Sequence, residues 1–327
     1  MRDKIKLFKE LIDKSNKIAL YSHIRMDPDT FWSSTALYYI LEKIWKDVIL
    51  LNDDQEPEEF KFLWANNIIK SDYDLNDFDP DLIISLDAAS PEQLGNSYKN
   101  NIDIIKKKDF LVIDHHITNT WFWTLNIINT KSSSNCELLF DILEQIDFIK
   151  YIDKKIATLL ISWMLTDTNV FYNTNTTERT HEVASKLLNL WADSRTSIFE
   201  FFKKKSLGKT KLTAIALSNI KIIENKLENW KNIVYTIIEE KDFIKTNTTD
   251  RETNGIIENL VNIENTDVSF IIYPVKWRNK VSFRSREYDV SKVAWEMWWG
   301  WHKQAAWFYS EESIENTIKN ILEKIEI

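Results

Sequence analysis

Three continuous apolar runs, KIALYSH (17–23), DLIISLDA (81–88) and DFLVIDHH (109–116), each close on an aspartate or a histidine. Runs without polar alternation suit strands buried on both faces of a parallel sheet. DVILLN (47–52) has the same character. Residues 3–15, ahead of the first run, and 33–44, after it, have helical periodicity, the second with Ser33 or Ser34 as a plausible N-cap. Open sheets of this class bind ligands beyond the carboxyl ends of their strands. His23, Asp87 and Asp114 all stand at such ends, which is the first indication that they meet.

Further along, ELLFDILEQI (137–146), IATLLISWMLTDT (156–168) and THEVASKLLNL (180–190) read as helices, the second delivering Asp167. The Lys-rich stretch FFKKKSLGKTK (201–211) is the best candidate linker. Beyond it NIVYTII, VSFIIYPV and KVSFRSR look like strands of a second unit, closed by the amphipathic segment ESIENTIKNILEKIEI. The expected fold is α/β. A parallel-sheet domain spans 1–195, a linker 196–215 and a smaller α/β domain 216–327.

The polar residues fall into clusters: His23-x-x-x-Asp27-x-Asp29, then Asp87, then Asp114-His115-His116, then Asp167. Singly, each has a plain reading: a helix cap, a turn former, a solvated histidine pair. Together, on these strand ends, they read as a metal site. Carboxylates with imidazoles and no thiolate suit Mn²⁺ or a similar divalent ion. So many acids converging would repel one another without cations between them, and a pair of metals is a standard arrangement for phosphoryl hydrolysis.

The net charge of −8 argues against a protein that coats long nucleic acid, double-stranded DNA included, and favours a small phosphorylated substrate. The lone Cys136 excludes a disulfide framework. No apolar run approaches the roughly 18 residues that span a membrane, and no signal peptide is evident. The expectation is a cytoplasmic protein without membrane contact.

The order HxxxDxD, lone Asp, DHH, lone Asp resembles the DHH phosphoesterases, which include RecJ-like nucleases and family II pyrophosphatases. GWHKQAAWF (300–308) looks like the GGGHxxAAG signature of the DHH-associated C-terminal domain, VSFRSR (281–286) like the strand before it and RETNGIIENLVNI (251–263) like its opening helix. Length and layout resemble the short-oligonucleotide ribonuclease and pAp phosphatase branch.

That resemblance implies roles. His23 and Asp27 would hold one metal, Asp29 and His115 the other, and Asp87 and Asp167 would bridge them. Asp114 would orient a histidine, and His116 would bind phosphate or assist the leaving oxygen. Arg284, Arg286, Gly300 and His302 would contact substrate from the C-terminal domain, across an interdomain cleft that favours short substrates. The implied function is Mn²⁺-dependent hydrolysis of short RNA oligonucleotides, dinucleotides or pAp, as an exonuclease and phosphatase, with a homodimer as a further expectation. Alternatives are a linear or cyclic dinucleotide phosphodiesterase, a pyrophosphatase or polyphosphatase, and an inactive nucleotide-binding module.

One compositional feature departs from that pattern. At the ordinary share of about 7% the chain would hold roughly 23 glycines, yet it holds 4, beside 14 tryptophans. Trp32, Trp163 and Trp191 stand where the family has glycine. Trp121 and Trp123 flank an expected glycine turn, and Trp298, Trp299, Trp301 and Trp307 cross the glycine-rich signature. Glycine at all 14 positions would give 18. UGA codons read as glycine by some bacterial lineages would leave this pattern when translated as tryptophan. The other reading is a tryptophan-rich surface that stacks bases. Under the first reading, some of these indoles should be strained, exposed or crowding the site.

Overall fold

The computed structural model describes residues 1–26, 28–56, 62–63, 68–121, 123–224, 227, 231–296 and 303–325. The chain forms two compact units, Met1–Lys204 and Lys205–Ile327.

In the first unit the elements follow as α1 (Arg2–Lys14), β1 (Lys17–Ser22), α2 (Pro28–Lys43), β2 (Asp47–Leu51), β3 (Ile69–Lys70), α3 (Leu75–Phe78), β4 (Leu82–Leu86), α4 (Gly95–Asn100), α5 (Ile102–Ile105), β5 (Asp109–Asp114) and β6 (Leu125–Ile128). Helices α6 (Asn135–Gln145), α7 (Lys154–Asp167), α8 (Glu178–Asn189) and α9 (Ser194–Ile198) complete it. The six strands form one sheet in the order β3-β2-β1-β4-β5-β6, every neighbouring pair parallel. The apolar runs are continuous because successive residues point to opposite, equally covered faces. Ile18, Leu20, Ile84, Leu111 and Ile113 join a core with α1, α2, α6 and α7. Ala19, Tyr21, Ile83, Phe110 and Val112 join another with α3, α4 and α5. Strand order reverses direction between β1 and β4, which is where an open parallel sheet leaves a crevice at its carboxyl end.

Ser33 and Ser34 are not the N-cap of α2. The helix begins five residues earlier at Pro28, whose fixed φ suits a first helical position, and both serines are buried within it. The Ser33 hydroxyl instead donates to the Asp29 carbonyl at 2.7 Å.

The second unit contains α10 (Leu207–Ser218), β7 (Lys221–Ile223), β8 (Asn232–Ile237), α11 (Glu240–Thr246), α12 (Ile257–Val261), β9 (Thr266–Val275), β10 (Arg278–Ser285), α13 (Val290–Glu296), β11 (Ala305–Ser310) and α14 (Ile314–Ile325). Its sheet runs β11-β10-β9-β8-β7 and is mixed: β8 and β9 are parallel, the other pairs antiparallel. Phe270, Ile272, Val281, Phe283 and Phe308 pack toward α13 and α14, while Val234, Ile271 and Tyr273 pack toward α10, α11 and α12.

The expected linker, 196–215, is mostly helical, and the boundary between the two compact units falls inside it, after Lys204. The end of GWHKQAAWF is strand from Ala305 onward, with Trp307 opposite Ser282. Among the described residues, no helix is long and apolar enough to cross a membrane.

Candidate active site

Five elements of the first unit, β1, α2, β4, β5 and α7, bring the expected residues together. His23 follows β1 and is fixed through its backbone: its N–H donates to Thr30 Oγ1 at 3.0 Å, and Asn52 Nδ2 donates to its carbonyl at 2.8 Å. The ring Nδ1 lies 2.8 Å from the Ile24 carbonyl, so Nδ1 carries the proton and Nε2 the lone pair. That Nε2 is 3.8 Å from Asp87 Oδ2.

Asp87 follows β4 in a left-handed conformation, φ 59°, which aspartate tolerates better than most residues. Its N–H donates to the Ile113 carbonyl at 2.9 Å, so the bend is pinned to the neighbouring strand.

His115 follows β5 and is the hub. Its Nε2 lies 3.3 Å from Asp29 Oδ2, 3.5 Å from Asp87 Oδ1 and 3.9 Å from Asp167 Oδ2. Its Nδ1 lies 3.4 Å from the Ser132 carbonyl. A histidine anchored through one ring nitrogen and aimed at carboxylates through the other is the usual pose of a metal ligand. Asp29, His115 and Asp167 form one group whose ligand atoms are close enough for a shared ion, and Asp87, His115 and His116 form a second.

His116 is a poorer ligand through its Nδ1, which lies 3.6 Å from Asp87 Oδ1 but is already engaged by Asp114 Oδ1 at 2.7 Å. Asp114 is fully buried. It also accepts from the backbone N–H of His115 at 2.8 Å and from Asn119 Nδ2 at 2.6 Å. Burial alone would raise its pKa. The bonds from His116 and Asn119 outweigh that and hold the carboxyl below the ordinary range. The His116 side chain is 43% exposed, the most open of the cluster.

Asp29 sits in the first turn of α2, buried, facing the start of α6. Its Oδ2 accepts the backbone N–H of Asn135 at 2.8 Å and its Oδ1 that of Cys136 at 3.3 Å. A helix N-terminus favours a carboxylate through its unpaired N–H groups and its dipole. Cys136 is itself buried, and burial together with nearby Asp29, Asp87 and Asp167 pushes its thiol well above the usual value. It offers no thiolate.

Asp167 ends α7, and its carbonyl accepts from the Asn173 and Asn175 amides at 3.0 and 3.3 Å. The three residues from Asn169 to Phe171 all have positive φ, 48°, 57° and 66°. That is costly for a β-branched Val170, and such strain persists only where surrounding bonds enforce it. Here Val170 N–H reaches the Leu165 carbonyl at 2.7 Å, and Phe171 N–H reaches Thr168 Oγ1 at 2.9 Å.

His23, Asp29, Asp87, Asp114, His115, His116 and Asp167 thus share one site. Asp27, Gly300 and His302 lie outside the described residues. Arg284 and Arg286 belong to the second unit. Arg284 pairs with Glu258 at 3.2 Å and lines a recess of about 210 Å³ with Asn254, Lys280, Ser282 and Trp307. Arg286 donates from Nε to the Val261 carbonyl at 3.2 Å.

Sequence reasoning missed the supporting amides. Asn119 bridges Asp114 and the Ala88 carbonyl. Asn135, with its amide turned to satisfy its neighbours, accepts from the Asp87 N–H at 3.2 Å and from Ser33 Oγ at 3.3 Å while donating to the Ile113 carbonyl at 3.2 Å. The available signal was weak: an asparagine following DHH, and another opening a helix after a serine run.

The donor set fits divalent cations. Two buried carboxylates, a third beside them and imidazole nitrogens converge without a thiolate, a combination that suits ions such as Mn²⁺ and that is repulsive without one.

Comparison with known proteins agrees with this chemistry. Residues 17–162 match the DHH family, N-terminal domain. The bifunctional oligoribonuclease and PAP phosphatase NrnA of Bacillus subtilis is 24% identical over 271 residues, covering 82% of this chain and 81% of that protein. A probable bifunctional oligoribonuclease and PAP phosphatase NrnA of Streptococcus mutans is 27% identical over 320 residues, covering 93% and 94%. In fold, the chain is similar over its whole length to an exopolyphosphatase-related protein from Bacteroides fragilis, with a TM-score of 0.84 at 22% identity and 97% of that chain covered.

Proposed function

The first unit of this chain is a DHH-family domain and the chain belongs with the phosphoester hydrolases that carry it, and from that premise we propose that it hydrolyses short RNA oligonucleotides, dinucleotides or pAp with two divalent cations, Mn²⁺ foremost. The observation that carries this reading is His115 Nε2, within 3.3–3.9 Å of carboxylate oxygens from Asp29, Asp87 and Asp167. Three acids delivered by three separate elements to one imidazole have no structural use that a simple ion pair would not serve at lower cost.

His23, Asp29, Asp87, His115 and Asp167, with Asp27, would hold the cations. When bound, such ions neutralise charge that develops on phosphoryl oxygens and make water acidic enough to attack phosphorus. The protein's own groups do the rest. The α6 N-terminus fixes Asp29 through the backbone N–H groups of Asn135 and Cys136. Asp87, shared between His23 and His115, sets the spacing of the two halves of the site. Asp114 holds His116 through Nδ1 and so leaves Nε2 to bind a phosphate oxygen or to protonate the departing one. Arg284 and Arg286 are the guanidinium candidates for substrate phosphates, since a planar fork pairs with two oxygens at once.

The test is direct. Purified protein with Mn²⁺ should release mononucleotides from a dinucleotide and phosphate from pAp, and Asp29→Ala and His115→Ala should abolish both. Unchanged rates in those variants would refute the metal assignment. Pyrophosphate cleaved far faster than any nucleotide would refute the substrate assignment.

A further inference from the structure

Several tryptophans occupy backbone positions made for glycine. At the end of α2, the N–H of Trp45 returns to the Glu42 carbonyl at 3.0 Å and that of Lys46 to Leu41 at 3.1 Å. At the end of α8, the N–H of Trp191 returns to Leu188 at 2.9 Å and that of Ala192 to Leu187 at 3.1 Å. This bond pair around a left-handed residue is the common helix stop whose left-handed position is usually glycine. Trp45 has φ 62° and Trp191 φ 66°, where a Cβ runs against the following carbonyl oxygen. Packing does not offset the strain, because Trp45 is 95% exposed and Trp191 79% exposed. Trp121 is also left-handed, at φ 54°, and exposed, with Lys4 Nζ over its ring at 4.6 Å.

The opposite misfit occurs inside the first unit. Trp163 is buried within α7 and its Nε1 has no hydrogen-bond partner among the described residues, although a buried indole N–H ordinarily finds one. Trp32 is buried in α2, which packs against α7.

We propose that the codons written here as tryptophan are read as glycine in the cell of origin, so that the working protein carries glycine at all 14 positions. UGA permits this, because different genetic codes assign it to either residue. Glycine removes the strain at the helix stops and at residue 121. It also lets α2 and α7, the helices bearing Asp29 and Asp167, approach one another without an indole on each. The exposed aromatic surface suggested by the sequence is then no feature of the functional molecule, and base stacking on it is not part of recognition.

Peptide mass spectrometry of the protein from its source cells decides the matter. Glycine at residues 45 and 191 is the expected result, and tryptophan at either overturns the proposal, as do UGG codons there. An independent measurement uses the tryptophan form made in a standard host. Trp45→Gly and Trp191→Gly should each raise the unfolding midpoint by about 2–4 °C, the shift that a kcal-scale gain produces in a unit of this size. Trp45→Ala and Trp191→Ala should gain less, because alanine keeps the Cβ. Equal midpoints for the glycine and alanine forms would overturn the proposal.

Discussion

The backbone N–H of Asn135 donates to Oδ2 of Asp29 at 2.8 Å, so the start of α6 grips an acid delivered by α2. The same residue's amide reaches Asp87 and Ile113, which makes Asn135 the point where three segments of the candidate site are tied.

Asn135→Ala keeps the backbone bond to Asp29 and removes only the amide. Supports of this kind typically cost about 10–100-fold in metal affinity or activity when lost. The Mn²⁺ concentration for half-activation should rise by that order, with a smaller fall in kcat at saturating metal. An unchanged activation curve would show that Asp87 needs no help from this side chain.

Asp114 and His116 should behave as one unit, given their 2.7 Å bond. His116→Ala and Asp114→Asn should each lower kcat by about 10²–10⁴-fold, the usual range for general acid–base groups. The double variant should be little worse than the poorer single one, because coupled residues are not additive. Additive losses would mean that the two act separately.

Arg284→Ala should raise KM for a dinucleotide about 10–100-fold, matching the roughly 1.5–3 kcal/mol of a hydrogen bond to a charged group. Metal activation should be untouched. A rise in the Mn²⁺ requirement with constant KM would assign this arginine a structural role through Glu258.

Asp153 caps α7 by accepting from the Ile156 N–H at 3.0 Å and pairs with Lys43, the last residue of α2, at 2.7 Å. Partial burial opposes its ionisation, but Lys43 and the helix N–H groups prevail and hold the carboxyl below its ordinary range. Its contribution to stability is therefore complete above the unfolded carboxylate pKa and is lost as pH falls through the folded value. Asp153→Ala should cost about 1–2 kcal/mol near neutral pH, the worth of a strong cap. Asp153→Asn should cost less than about 1 kcal/mol, the worth of an exposed ion pair. In urea titrations, both should flatten the acid limb of the stability–pH curve.

The sheet of the first unit was readable because burial on both faces leaves β1, β4 and β5 mostly apolar, with no polar alternation. Strands β3, with two residues, and β6, with four, are too short to announce themselves. Ser33 misled because a hydroxyl inside a helix, bonded to the carbonyl four residues back, looks in sequence like a cap. The residues that meet at the candidate site stood out in the sequence because clustered histidines and aspartates after apolar runs have few other uses. Asn119 and Asn135 were not, because an amide's role depends on partners that only the folded chain supplies. Lys-rich composition near residue 204 marked the boundary region but hid that it is helical.

The strand order has a consequence for biosynthesis. β1 leaves the ribosome first among the strands yet lies in the middle of the sheet, flanked by β2 and β4. Its histidine waits for Asp87, then His115, and finally Asp167 at the far end of α7. A nascent chain can therefore lay down most of its hydrophobic framework before any complete cation cradle exists. In chain order the candidate cation cradle is complete only once α7, which delivers Asp167, has been made.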